Sequence, residues 1–96
     1  MEKHRFRITV EHLEAPRGKE RSPSPLRFEV ANHDDILAIV ERLQGRGDLA
    51  PDAARALGVG LKLFSEVMLE HKDLPLFQGL APHFGEFMRG LKKRPA

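Results

Sequence analysis

Cysteine is absent from this chain of 96 residues, and so are tryptophan and tyrosine. The missing cysteine excludes disulfide bonds, a thiol nucleophile, and zinc or iron-sulfur sites held by thiolates. Long hydrophobic runs are missing too: no apolar stretch approaches the ~20 residues that span a bilayer, and the amino terminus has none that could serve as a signal peptide. We therefore expect a protein that is stabilised by packing, has no membrane segment and resides in the cytoplasm.

The composition is that of one soluble globular domain over residues 1–96. Apolar residues make up 41% of the chain, which exceeds the share found in disordered chains. A chain of this length supports one core and excludes a second independent domain. The net charge is only +2, but the two ends are basic and the middle is acidic. Such asymmetry can steer an anionic partner, although basic ends are also a common solubility feature.

Two short segments alternate apolar and polar residues with the period of a strand, and we predict strands over residues 4–12 and 26–31. Their apolar positions are Phe6, Ile8, Val10, Leu26, Phe28 and Val30. Residues 15–25 between them contain three prolines, which lack the amide donor that a ladder needs. This pattern predicts an antiparallel hairpin with a long, solvated and mobile loop.

The apolar spacing becomes helical after Asn32, and a first helix is predicted from about Ile36 to Gly45. The Asn32 side chain is placed to cap this helix, because its oxygen can accept from a free amide of the first turn. Asp34 and Asp35 lie where the positive end of the helix dipole favours carboxylates.

A second helix is predicted over residues 51–72, with Pro51 in its first turn and Asp48 as one candidate cap. It is apolar around most of its circumference and therefore central. Gly58 and Gly60 are unfavourable inside a helix, so they indicate either a break near Gly58 or close backbone packing against a neighbour. The sequence leaves both alternatives open.

A third helix is predicted to open at Pro82, after Leu76 and Phe77, which look like a hydrophobic anchor. The basic end of the chain suits the negative end of this helix's dipole. The predicted fold class is thus α+β, with a two-stranded antiparallel hairpin packed against three helices.

The tightest cluster of acid-base or metal-binding side chains is His33, Asp34 and Asp35. Consecutive residues at a helix start fan out around the axis, so we interpret this cluster as capping. Glu66 and Glu70 lie one helical turn apart, but they lack the Glu-x-x-His spacing of carboxylate-bridged metal sites.

We interpret these two glutamates, with Lys62, as a solvated strip. We therefore predict no catalytic residue, no cofactor site and no metal site. The sequence leaves open whether five candidate residues have a role beyond capping and solvation: His33, Asp34, Asp35, Glu66 and Glu70.

Nucleic-acid binding is the third class considered, because Arg5, Arg7 and Arg27 are placed to share one face of the hairpin. The chain offers no tryptophan or tyrosine to stack on bases, and its net charge is near zero. We expect no nucleic-acid partner.

His4 and His12 share the parity of the apolar strand positions, which favours packed or half-exposed strand residues over ligands.

Three segments resemble a bacterial family of small proteins, the domain of unknown function family 3861. They are HRFRITVEHL, FEVANHDDILAIVERL and GVGLKLFSEVMLEHKDLPLF, followed by PHFGEFM. The similarity spans residues 4–91 and is most specific at the NHDDIL junction and in the third segment. The resemblance implies a soluble bacterial α+β domain and supplies no activity or site residue.

The leading functional hypothesis is a small non-enzymatic interaction or regulatory module. It depends on the missing catalytic constellation and on hairpin edges that are open to strand addition. The alternative is a ligand-binding protein or enzyme with a pocket between the hairpin and the central helix. Because both strands of a lone hairpin are edges, we also expect a homodimer. An unidentified protein partner is a further candidate.

Overall fold

The computed structural model describes residues 2–20 and 24–93, so residues 21–23 of the predicted loop lie outside the described part. In chain order the elements are β1 (His4–Val10), β2 (Leu26–Asn32), α1 (Ile36–Gln44), α2 (Pro51–Glu70), α3 (Pro75–Gln78) and α4 (Ala81–Lys92). The α+β class is confirmed, with three long helices and a short α3 that was not predicted. The chain divides after His33 into a hairpin unit and a helical unit.

The hairpin unit consists of β1 and β2, which pair antiparallel from His4 opposite Asn32 to Val10 opposite Leu26. Alternation places three apolar pairs on one face of this sheet, which are Phe6–Val30, Ile8–Phe28 and Val10–Leu26. The opposite face carries the charged side chains of Arg5, Arg7, Arg27 and Glu29. The strand bounds differ slightly from the prediction: β1 ends two residues earlier, at Val10, and β2 extends one residue further, to Asn32.

The start of α1 corrects the predicted cap. The capping residue is Asp35, whose Oδ1 accepts a hydrogen bond of 3.1 Å from the Leu37 amide. Asn32 is instead the last residue of β2, where it lies opposite His4 and is buried. The prediction of Asn32 as cap is wrong because the ladder continues through this residue and holds it out of the helix start.

Helices α1 and α2 approach each other closely at Gly58. A Cβ atom on Gly58 would stand 2.8 Å from Cγ2 of Val40 and 3.3 Å from Cδ1 of Leu43, and α2 continues unbroken through this point. Close packing, and not a break, is therefore the reason for glycine here. Lys62, one turn further along α2, reaches back to Asp34 before α1, so the two helices run antiparallel.

The cap predicted for α2 is also wrong. Ala50 precedes the helix without a side-chain capping bond, and Pro51 occupies the first turn as expected. Asp48 is directed to Arg46 instead, with two hydrogen bonds that are described below.

Phenylalanine rings join α2 to α3 and α4. The Phe64 ring centroid lies 6.0 Å from that of Phe77 and 5.9 Å from that of Phe84. Phe77 is buried, as expected of an anchor, whereas Leu76 is exposed, so only half of the predicted anchor is confirmed. Among residues 2–20 and 24–93, no helix is long and apolar enough to cross a membrane.

Candidate functional site

The His33 cluster does not converge on one point. Oδ1 of Asp35 accepts from the Leu37 amide, and Oδ2 of Asp34 accepts from Nζ of Lys62 at 2.8 Å. The His33 side chain is exposed. Capping is thus confirmed for Asp35, whereas Asp34 forms an ion pair with Lys62 of α2.

The predicted solvated strip on α2 is wrong at two of its three positions. Glu66 is buried, with only 6% of its surface exposed, and the Lys62 side chain is 13% exposed. Glu70 is exposed as expected. Lys62 lays its aliphatic stem along the protein and delivers its ammonium group to Asp34. Glu66 has an interaction partner, as a buried carboxylate requires.

The polar face of the hairpin carries mixed charge. The strand register places Arg5, Arg7 and Arg27 on one face, as predicted, but Glu29 lies there too, opposite Arg7. Arg5 and Arg7 both donate to the Glu29 carboxylate, Arg7 at 3.1 Å. The hydrogen bond from Arg7 and the charge of Arg5 lower the pKa of Glu29 below its usual value of 4.5. Two of the three arginines therefore have an acidic neighbour on this face.

A groove between α1, α2 and α4 has a volume of about 610 Å³. Its floor is apolar and is formed by Ile39, Leu43, Leu61, Met88 and Leu91. Five cationic residues also line it: Arg42, Arg46, Lys62, Lys92 and Lys93. Among residues 2–20 and 24–93, no aspartate or glutamate lines it. We call this feature the cationic groove.

Arg46 lines the cationic groove and connects two of its elements. Its Nη1 donates to the main-chain oxygens of Leu91 and Lys93, at 2.6 and 2.8 Å. Its Nε and Nη2 donate to the two carboxylate oxygens of Asp48, at 3.0 and 2.8 Å. The guanidinium group thereby ties the loop between α1 and α2 to the end of α4, where helix carbonyls lack intrahelical partners.

The pair of Arg46 and Asp48 depends on the turn between them. Gly47 has a φ of +86°, in the left-handed region that favours glycine, and this turn lets the two flanking side chains meet. The hydrogen bond from Arg46 lowers the pKa of Asp48, and the bond to Asp48 raises the pKa of Arg46.

Three cations of the groove remain without such a partner. The side chains of Arg42, Lys92 and Lys93 take part in no hydrogen bond or ion pair with residues 2–20 and 24–93, and all three residues are exposed. Arg42 lies in the last turn of α1 and Lys92 in the last turn of α4. The carboxyl-terminal ends of these two helices therefore supply the unpaired cations of the groove.

Sequence reasoning missed this groove because its walls come from three separate helices. The signals were present in isolation: a cation in the last turn of α1, and the basic end of α4. Each is also explained by the helix dipole, so neither indicates a shared site until the helices are placed together. The described residues hold no group of three or more His, Asp or Glu side chains that could bind a metal ion.

The hairpin presents a second surface. On its apolar face, Val10 and Leu26 lie opposite each other and are 56% and 61% exposed, and Phe28 is 39% exposed. Leu13, just beyond β1, is exposed as well. Apolar residues thus cluster at the loop end of the hairpin, as on surfaces that bind other proteins.

Comparison with known proteins places the chain in a family. Residues 4–93 match the family described as "Domain of Unknown Function with solved-structure structure (DUF3861)". A crystal structure of a protein of unknown function from Pectobacterium atrosepticum SCRI1043 is similar, with a TM-score of 0.81 and 37% identity over 94% of this chain and 97% of that one. No curated protein matches. The resemblance to this family is confirmed, and the chain belongs to the DUF3861 family, for which no specific function is indicated.

Proposed function

We propose that this protein is a non-enzymatic binding module whose ligand site is the cationic groove. The observation that carries the proposal is the combination of an apolar floor with five cationic lining residues and no carboxylate. Concave sites of this volume, mostly apolar with a few convergent polar groups, are typical of ligand binding. Cations beside a low-dielectric floor attract anions more strongly than cations on an open surface. The ligand is therefore an anion with an apolar part.

The positions of the candidate acid-base groups support binding without catalysis. A general base must lie within hydrogen-bonding reach of its substrate, yet no histidine, serine or carboxylate of the described part of the chain lines the groove. The nearby carboxylates of Asp34 and Asp48 are engaged by Lys62 and Arg46. The groove thus offers charge and apolar surface, which bind and orient a ligand.

The test is a capture experiment with a charge-matched control. Wild-type protein, the groove variant R42E/K92E and the control R27E/R89E are immobilised and exposed to a bacterial cytosolic extract, and bound proteins and small molecules are identified by mass spectrometry. The control makes the same charge change at two arginines that do not line the groove. We expect an anionic ligand to be retained by wild type and control and lost by the groove variant. Equal retention by all three proteins would contradict the proposal.

We also propose that the protein acts in the bacterial cytoplasm as a homodimer. The similar crystal structure comes from a bacterium. A sheet of only two strands has marginal stability alone, and the exposed apolar end of the hairpin supplies a surface for a second copy.

A further inference from the structure

We propose that the ligand of the cationic groove is a single-chain anionic amphiphile, with its acyl chain on the apolar floor and its acidic headgroup between Arg42, Lys92 and Lys93. This inference rests on the proposed binding function and names the ligand class of the same site. Three features of the groove lead to it: its size, the distribution of its charges, and the chemistry of its floor.

The size of the groove fits a small molecule. Its volume of about 610 Å³ lies within the range of small-molecule sites, roughly 300–1,000 Å³. A single alkyl chain with a small acidic headgroup is a ligand of this size class.

The charges of the groove place the headgroup at the carboxyl-terminal ends of α1 and α4. Lys62 is neutralised by Asp34 and Arg46 by Asp48, so these two cations require no ligand. Arg42, Lys92 and Lys93 have no such partner within the described chain, and they belong to the ends of these two helices. One carboxylate or phosphate monoester there would meet cations from α1 and from the end of α4.

The helix dipole alone does not account for the two lysines. Cations at a helix end are favourable because they compensate terminal carbonyls. At α4, Arg46 already donates to the carbonyl oxygens of Leu91 and Lys93. The positive charge of Lys92 and Lys93 therefore remains available to a ligand.

The floor accepts an alkyl chain. It consists of leucine and isoleucine side chains from α1, α2 and α4 and of Met88. The flexible thioether of Met88 adapts to different shapes of a bound alkyl chain. From the headgroup, an alkyl chain would run along this floor, away from Arg46. Each methylene that it buries strengthens binding about fourfold at full burial.

The experiment titrates the full-length protein with dodecanoate below its micellar concentration. Methyl signals of 13C-labelled methionine are recorded by NMR, and affinity is measured by calorimetry. We expect saturable binding of one molecule per chain. The Met88 methyl signal should shift because Met88 lines the groove, whereas Met68, which is buried in α2 outside the groove, should shift little.

Matched probes separate the headgroup from the chain. Dodecanol should bind about tenfold more weakly or worse, because it lacks the charge that the cations pair with. Octanoate should bind at least about tenfold more weakly because it buries fewer methylenes. Acetate should not bind. Dodecyl phosphate should bind with an affinity similar to that of dodecanoate, which would show that the site accepts anionic amphiphiles as a class. A difference in affinity of more than about tenfold would show that the site prefers one of the two headgroups.

The variants test the location. R42E/K92E should weaken dodecanoate binding about tenfold or more, and R27E/R89E should change it less than about twofold. Far-UV circular dichroism verifies that both variants fold; if R42E/K92E does not, the single variant R42Q replaces it and should weaken binding at least about threefold.

Equal binding of dodecanol and dodecanoate, an unshifted Met88 signal, or unchanged affinity of a folded groove variant would overturn the amphiphile inference. Should the capture experiment nevertheless show a groove-dependent anionic protein, the groove would be a docking site for a macromolecule and the proposed function would stand. Failure of both experiments would overturn the binding function itself.

Discussion

Gly58 and Gly60 lie two residues apart in α2, yet a methyl group at each would meet opposite surroundings. At Gly58 the added carbon would stand 2.8 Å from Cγ2 of Val40, a branched side chain with little freedom to turn away. At Gly60 no atom lies within 4 Å. We predict that Gly58→Ala lowers the free energy of unfolding by about 1–3 kcal/mol. Gly60→Ala should raise it by about 0.4–1 kcal/mol, because alanine restricts the unfolded chain and favours helix.

Urea denaturation of the two variants beside wild type measures this difference. Each variant serves as the other's control, since both make the same chemical change in the same helix. A stabilising Gly58→Ala substitution would mean that α1 and α2 do not meet at this glycine.

Asp35 is the residue at which the helix start can be tested. Its carboxylate accepts the Leu37 amide, so Asp35→Ala should destabilise the protein by about 1 kcal/mol, within a range of about 0.5–2. Asp35→Asn retains an accepting oxygen and should cost much less. The midpoint of thermal unfolding reports both effects, and an equal loss from the two substitutions would argue against a capping bond.

The residues of this junction show how far a sequence can specify a cap. Asn, Asp, His and Asp occur together there, and three of the four are good capping residues. Which one caps depends on where the strand ends, and β2 continues to Asn32 because this residue lies opposite His4 in the ladder. Periodicity therefore predicted the change from strand to helix correctly, but could not place the cap.

At the scale of elements, Arg46 joins the loop after α1 to the end of α4, and Asp48 orients it. The hydrogen bond from Arg46 lowers the pKa of Asp48 below its usual value of 3.8. An acid whose pKa is lower in the folded state stabilises the fold above its unfolded pKa, and this contribution disappears as the pH falls through the folded value. We predict that the wild-type protein loses the stabilisation by the Arg46–Asp48 ion pair as the pH falls below 3.8. The variant Asp48→Asn lacks this stabilisation at every pH.

Unfolding measured at pH 7 and at several values below pH 3.8 tests this sign. The difference in stability between wild type and Asp48→Asn should be largest at neutral pH and shrink in acid. A difference in stability that grows as the pH falls would contradict the ion pair between Arg46 and Asp48. The Asp48 side chain is 41% exposed, so salt should weaken the effect.

Most elements follow from sequence patterns, and their tertiary partners do not. Alternation located β1 and β2 within two residues, and helical spacing located α1, α2 and α4. Gly58 signalled either a break or a close approach, and only the position of Val40 decides between them. The cationic groove needs the relative placement of three helices, so composition and spacing could not reveal it.

Across the whole molecule, the two candidate binding surfaces belong to different units. The helical unit gathers uncompensated cations around its groove, whereas the hairpin pairs Arg5 and Arg7 with Glu29 on its polar face. The apolar face of the hairpin is exposed toward its loop end. Ligand binding and self-association are therefore expected to use different surfaces and to be separable by mutation.

We predict that the protein associates with itself through the hairpin. Light scattering at micromolar concentration should give a mass close to twice the 10.9 kDa of one chain. The variant V10K/L26E charges the exposed apolar face while keeping an attractive pair across the strands, since Val10 lies opposite Leu26. We expect this variant to be a folded monomer, because burying these charges in a subunit contact is unfavourable.

The control is Thr9→Glu, which adds a charge to the polar face directly opposite Arg27 and should leave the dimer intact. If wild-type protein is strictly monomeric under these conditions, the dimer proposal fails. If V10K/L26E remains a dimer, the contact lies at a strand edge, where backbone groups pair regardless of which face is charged. Binding of dodecanoate should be the same in the monomeric variant as in wild type, because the groove is built entirely from α1, α2, α4 and the loop after α1.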